Sequence, residues 1–175
     1  MNDDTAGRAA PEIRMADIIL PHQTNGFGTM FGGDVMSLMD KAAAIAALRF
    51  ARRPVVTAST ERIDFRIAIG QGEIVEALAR VIYTGRRSMV VRVHLYAENP
   101  LLGDTRLCTT GYFNMVTVPP PGSNEPPVVP PLLIEDEAAG REVVVGEEIH
   151  EAVVTRRRAA RAAEAQIVSG QEEHV

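Results

Sequence analysis

A chain of 175 residues, 46% of them hydrophobic, holds enough apolar material for one substantial core, and its net charge of −5 excludes general affinity for nucleic acid. Cys108 is the single cysteine, which excludes an internal disulfide framework and suits a reducing compartment. The N-terminus is polar and acidic where a signal peptide is basic, and no run reaches the roughly 20 apolar residues of a bilayer span; a cytoplasmic, membrane-free protein is expected, with residues 1–11 disordered.

Ile13 to Leu20 has the β-branched and apolar content of a short strand. The next stretch, PHQTNGFGTMFGGDVMSLMD from Pro21 to Asp40, begins as a loop rich in turn residues and ends inside a helix. After Gly33 the run to Arg53 is free of Gly and Pro and rich in strong helix formers. Asp34 suits the positive end of its dipole, Arg49, Arg52 and Arg53 suit the negative end, and Pro54 stops it. The helix is apolar nearly all round, the pattern of a buried element, with Asp40 as the exception.

Beyond Pro54, Val55, Thr57, Ser59, Ile63, Phe65 and Ile67 recur at period two, as in a long strand. Gly70-Gln71-Gly72, Gly85-Arg86-Arg87-Ser88 and Asn99-Pro100 with Gly103-Asp104 then separate three more alternating runs. Short turns predict an antiparallel meander of these four strands. Strands of that length match a helix of about 20 residues, roughly 30 Å. The economical α+β packing is an antiparallel sheet of about five strands wrapped round one long buried helix, the arrangement of the hotdog fold, although other α+β sheets share the element order. The globular domain is expected over 12–118. PPPGSNEPPVVPP then predicts an extended surface linker over 119–145, followed by a mostly exposed helix over 146–168 and a disordered tail over 169–175.

Three features carry chemistry. The glycines miss the spacing of a dinucleotide or P-loop fingerprint; they serve either as a tight entry to the helix or as an oxyanion site, with the Gly32 and Gly33 amides free of intrahelical partners. Asp40 in a core needs either a buried partner or a catalytic role, and Lys41 does not share its helix face. Asn25 is either a turn asparagine or a substrate-orienting group. His22, His94, His150 and His174 lack metal-ligand spacing, His22 alone lies beside the glycine loop as a possible base, and no GxSxG elbow is present. Arg86, Arg87 and Ser88 are either solvated turn residues or a phosphate-holding group at a cleft.

The runs quoted from Pro21 to Asp40, VTAS followed by DF, and TGRRSM together resemble the hotdog acyl-CoA thioesterases, most closely the YciA and brain acyl-CoA hydrolase group, over roughly Arg14 to Val118. The resemblance implies hydrolysis of an acyl-CoA substrate, with Asp40 as general base or nucleophile, Asn25 orienting water or substrate, and Gly32 and Gly33 polarising the carbonyl. It implies that Asn25 and Asp40 of one site come from different subunits of a dimer, that dimers assemble further, as in a trimer of dimers, and that Arg86, Arg87 and Ser88 lie on the CoA side. It also implies no metal and no cofactor, CoA being part of the substrate. Asp34, an acid directly after the glycine pair, departs from the pattern. Two other readings stay open: an acyl-thioester dehydratase or hydratase using His22, and a non-catalytic acyl-CoA-binding module.

Overall fold

The computed structural model describes residues 7–123 and 128–172. Five strands form one antiparallel sheet: β1 (Ile13–Ile18), β2 (Val55–Phe65), β3 (Ile74–Thr84), β4 (Ser88–Asn99) and β5 (Asp104–Thr117). A long helix, α1 (Gly32–Ala51), lies on one face, and a second, α2 (Glu137–Glu172), follows the sheet in sequence. The strand order is β1-β3-β4-β5-β2. This corrects the expected four-strand meander, because β2 pairs with β5 and not with β3. The segment through Gly70-Gln71-Gly72 is therefore a crossover from the edge strand β2 past β5 and β4 to β3, which lies next to the opposite edge strand β1. Only β3, β4 and β5 form the meander.

Alternation sorts the strands into two faces. Val75, Ala77, Ala79 and Val81 of β3, and Met89, Val91, Val93, Leu95 and Ala97 of β4, are buried. They meet Met39, Ala42, Ala43, Ala46, Ala47 and Phe50 of α1 in one apolar cluster. Alanine on both surfaces lets the helix lie close to the sheet, so the short side chains are a packing requirement. The helix ends where expected: Arg52 adopts φ 53° and donates its N–H to the Leu48 carbonyl at 2.8 Å, just before Pro54. It is not buried all round, however. Met36 and Leu48 of α1 are exposed, as are Val56 and Phe65 of the edge strand β2.

The C-terminal region differs from the expected linker, and its helix, mostly exposed among the described residues as expected, has other bounds. Val129 is buried and donates its N–H to the Arg86 carbonyl at 3.0 Å, and Leu132 donates to Thr84 Oγ1 at 3.1 Å. Arg8 bridges to Leu132, so the part of the expected N-terminal tail from residue 7 onward is ordered, while residues 1–6 lie outside the described chain. Helix α2 starts at Glu137, nine residues before the expected 146, with Asp136 Oδ1 accepting from the Ala139 amide at 2.7 Å. It also runs through residues 169–172 of the expected tail, and residues 173–175 lie outside the described chain.

Among the described residues of α2, Ala139, Gly146 and Val153 are buried, spaced by two turns, and they dock it on the outer face of the sheet. At Gly146 a Cβ would sit 2.6 Å from Tyr83 Cβ and 3.2 Å from the Ile82 carbonyl. Glycine here permits contact; it does not break the helix. Arg92 on β4 ties three elements together through Glu12 and Glu142, and its burial lowers its pKa.

Candidate active site

The loop before α1 is held by Asn25. Its Oδ1 accepts from the Phe27 amide at 2.9 Å and the Thr29 amide at 3.3 Å, and its Nδ2 donates to Thr29 Oγ1 at 2.9 Å. Gly28 takes φ +72°, which a side chain would resist. The loop leads into Phe31, the N-cap, whose carbonyl accepts from the Asp34 and Val35 amides. Gly32 and Gly33 are thus the first two helical residues, whose amides have no intrahelical acceptor. Asn25 and Gly32 line one cavity of about 240 Å³, with Thr29, Val35, Phe65 and Ile67 among its walls. Gly32, with its amide free of an intrahelical acceptor, is a wall of that cavity beside apolar side chains, and Gly33 is not among the walls.

Asp40 is half-buried, two turns further along α1. Its Oδ1 accepts a hydrogen bond from Thr57 Oγ1 at 2.6 Å. Thr57 sits on the edge strand β2, opposite Met115 of β5. This supplies the polar partner that a structural reading of Asp40 requires, and it also fixes one carboxylate oxygen while leaving the other open. Eight residues of helix separate Asp40 from Gly32, about 12 Å along the axis. Asp40 is absent from the walls of the Asn25 cavity. Within one protomer, then, Asn25 and Gly32 come together, and Asp40 stands apart with Thr57.

Arg86 and Arg87 are exposed at the β3–β4 turn, their carbonyls accepting from Val129 and Thr117. The turn lies at the sheet end where Val118 donates to the Pro54 carbonyl, beyond the C-terminus of α1. It is separated from the Asn25 loop by about the length of the helix, roughly 30 Å. Ser88 begins β4, with its carbonyl accepting from Gly85.

His22 is exposed on a short 3₁₀ turn and does not line the cavity. His94 is on the outer sheet face, with Nδ1 2.9 Å from Thr110 Oγ1, and burial followed by the nearby Arg92 charge takes its pKa down to about 4. Neither imidazole reaches the glycine loop. Among the described residues no group of three or more His, Cys, Asp or Glu side chains is placed to hold a metal, and no helix is long and apolar enough to cross a membrane. Thr57 is the site residue that sequence reasoning missed; a threonine in a strand reads as β-propensity, and its one signal was its place in the VTAS run.

Residues 27–103 match the model of the thioesterase superfamily. An uncharacterized acyl-CoA thioester hydrolase of Bacillus subtilis, YkhA, is 37% identical over 100 residues, 57% of this chain and 58% of its own length. One from Zymomonas mobilis is 32% identical over 117 residues, 67% of this chain and 77% of its own length. Among solved structures, the acyl-CoA hydrolase of Staphylococcus aureus, in complex with butyryl-CoA, CoA and CoA disulfide, aligns with a TM-score of 0.77 at 30% identity, covering 94% of this chain and 98% of that one. Its alanine mutants at an asparagine in position 28, an aspartate in position 43 and a threonine in position 60 have also been solved. A hexameric acyl-CoA thioesterase aligns with a TM-score of 0.78 at 32% identity, covering 86% of this chain and 97% of that one.

Proposed function

The chain belongs to the thioesterase superfamily, among its acyl-CoA thioester hydrolases, and from that membership we propose that it hydrolyses an acyl-CoA to free CoA and a carboxylic acid at a site completed by two copies of the chain. The observation that carries the assignment is the Asp40 carboxylate, held by Thr57 at 2.6 Å on a helix face left partly open. The same three residue types at one constant offset support this reading: Asn25, Asp40 and Thr57 each stand three positions before the asparagine, aspartate and threonine mutated in the Staphylococcus aureus enzyme.

In this mechanism the substrate carbonyl lies in the Asn25 cavity, its oxygen facing the amides of Gly33 and Gly32. Negative charge developing on that oxygen is stabilised by donors already in place. Asp40 of the second copy deprotonates the attacking water, or attacks the carbonyl itself, and Thr57 holds the carboxylate for either step. Asn25 orients the water or the substrate. The thiolate of CoA leaves as the tetrahedral adduct collapses; with water as nucleophile this gives the acid directly, and with Asp40 as nucleophile it leaves a mixed anhydride that water then hydrolyses to the acid and free Asp40. Pairing of the edge strand β2 with its symmetry mate removes a free sheet edge. Higher assembly of such dimers, as a trimer of dimers, is part of the same proposal, supported by the hexameric relative.

Thiol release tests the activity. Short, medium, long and aromatic acyl-CoAs are incubated with the protein and free CoA is titrated; at least one is expected to yield stoichiometric thiol and acid. Consumption of an enoyl-CoA without thiol would instead favour a hydratase, and binding without turnover a non-catalytic module. The exposed position of His22 gives the hydratase reading no base at the cavity.

Arg86, Arg87 and Ser88 are assigned to the CoA phosphates of a site on another copy, given their distance from their own Asn25 cavity. Arg86→Ala is expected to raise KM for acyl-CoA severalfold with kcat nearly unchanged, since phosphates lie far from the reacting carbonyl. A short thioester lacking the nucleotide should be hydrolysed as well as by wild type. Equal losses on both substrates would make the arginine a structural residue.

A further inference from the structure

Asn25 sits in a loop, where no helix or strand ladder fixes it, yet a substrate-orienting amide must be held to a fraction of an ångström. Its side chain is tied to Thr29, so the question becomes what ties Thr29. Thr29 bridges to Gly70, Met30 donates its amide to the Ile69 carbonyl at 2.7 Å, and Gln71 donates to the Gly28 carbonyl at 3.0 Å. The loop therefore rests along the crossover segment 68–71, of which Ala68 and Ile69 also wall the cavity.

That crossover has little regular structure of its own. Two charged side chains anchor it. Glu73 Oε2 accepts from the Gly70 amide at 2.6 Å and from Arg106 Nη2 at 2.6 Å, and the same Nη2 donates to the Ala68 carbonyl at 3.2 Å. Glu73 is 15% and Arg106 30% exposed in their side chains, so the pair is shielded well enough to exceed a surface salt bridge in worth. Arg106 belongs to β5, one of the central strands. The hydrogen bond from Arg106, against burial and with help from the Gly70 amide, holds the Glu73 carboxyl below its ordinary range. The carboxylate form is thus the one that supports the clamp, and its contribution is lost as pH falls.

We propose that Glu73 and Arg106 are positioning residues of the reaction, an ion pair that fixes the crossover at Ala68 and Gly70 and, through Thr29, the amide of Asn25. The proposal rests on the thioesterase reading above. Neither residue lines the cavity; both act through backbone that does.

The test uses Glu73→Gln, Arg106→Lys and the double variant Glu73→Gln/Arg106→Gln in the full chain. Steady-state kinetics are combined with amide hydrogen exchange. Glu73→Gln is expected to lower kcat by about 10- to 100-fold with KM changed less than about threefold. The Asn25 and Met30 amides should exchange faster, while Val91 and Val93 in β4 keep their protection. The double variant should be no worse than the weaker single one, since the pair acts as a unit. Arg106→Lys keeps the charge on a shorter-reaching, more strongly hydrated ammonium in place of the Nη2 that serves both Glu73 and Ala68, and should show the same pattern more mildly; it carries the test if Glu73→Gln does not fold. An unchanged kcat, a lowered kcat with unchanged exchange in the loop, or exchange raised throughout the sheet would overturn the positioning role. Wild-type protein that releases no thiol from any acyl-CoA overturns the thioesterase reading itself, and this one with it.

Discussion

Asp40→Asn is expected to lower the rate of thioester hydrolysis by about 10²–10⁴-fold, the range of a positioned acid–base group, while the protein stays folded and binds acyl-CoA. Asparagine is nearly isosteric with aspartate, and its amide oxygen can still accept the hydrogen bond that Thr57 now donates at 2.6 Å. The helix position is half-buried and sits beside exposed Met36 and Ser37, so the neutral side chain leaves no buried charge unpaired. What is lost is the anionic oxygen that accepts a proton or attacks the carbonyl. Thiol release in the steady state, acyl-CoA affinity by calorimetry and thermal unfolding separate the possibilities. A folded variant turning over within about threefold of wild type would remove Asp40 from the mechanism.

The uneven legibility of the chain follows from which signals are local. Helix α1 was readable because its composition changes abruptly at Gly33 and Pro54 ends it. The strands were readable from alternation between turns, and the hotdog arrangement from matching lengths together with the motif from Asn25 to Asp40. Strand order was not readable. Gly70-Gln71-Gly72 has the chemistry of a hairpin, yet β2 pairs with β5 across a register broken near Thr57 and Glu61, and non-local pairing leaves no mark in the turn. The start of α2 was hidden because the Pro-rich composition carried the expected linker to residue 145, whereas the helix runs through Gly140 and presses on Tyr83 and Ile82 at Gly146.

The site divides in the same way. Asp40 was visible as a lone carboxylate on an apolar helix, and Gly32 and Gly33 as a glycine-opened helix start. Thr57 was not, because its role depends on facing Asp40 across 17 positions. Glu73 and Arg106 are 33 positions apart, and charged residues near turns ordinarily signal only solvated surface. Asn25 shows why residue type alone could not decide: it does serve the turn, through the Phe27 and Thr29 amides, and the same hydrogen bonds fix it at the cavity wall.

The shared site is the central claim, and a mixing experiment tests it most directly. Asn25→Ala and Asp40→Asn, each inactive alone, are unfolded together in equal amounts and refolded, with subunit exchange verified by differently tagged chains. Random pairing makes about half of the dimers mixed; in those, one site carries both lesions and the other carries neither, so roughly one site in four is expected to recover wild-type turnover. If Asn25 and Asp40 of each site came from a single chain, every site would retain one lesion, and a mixture that exchanges subunits yet stays inactive would contradict the account.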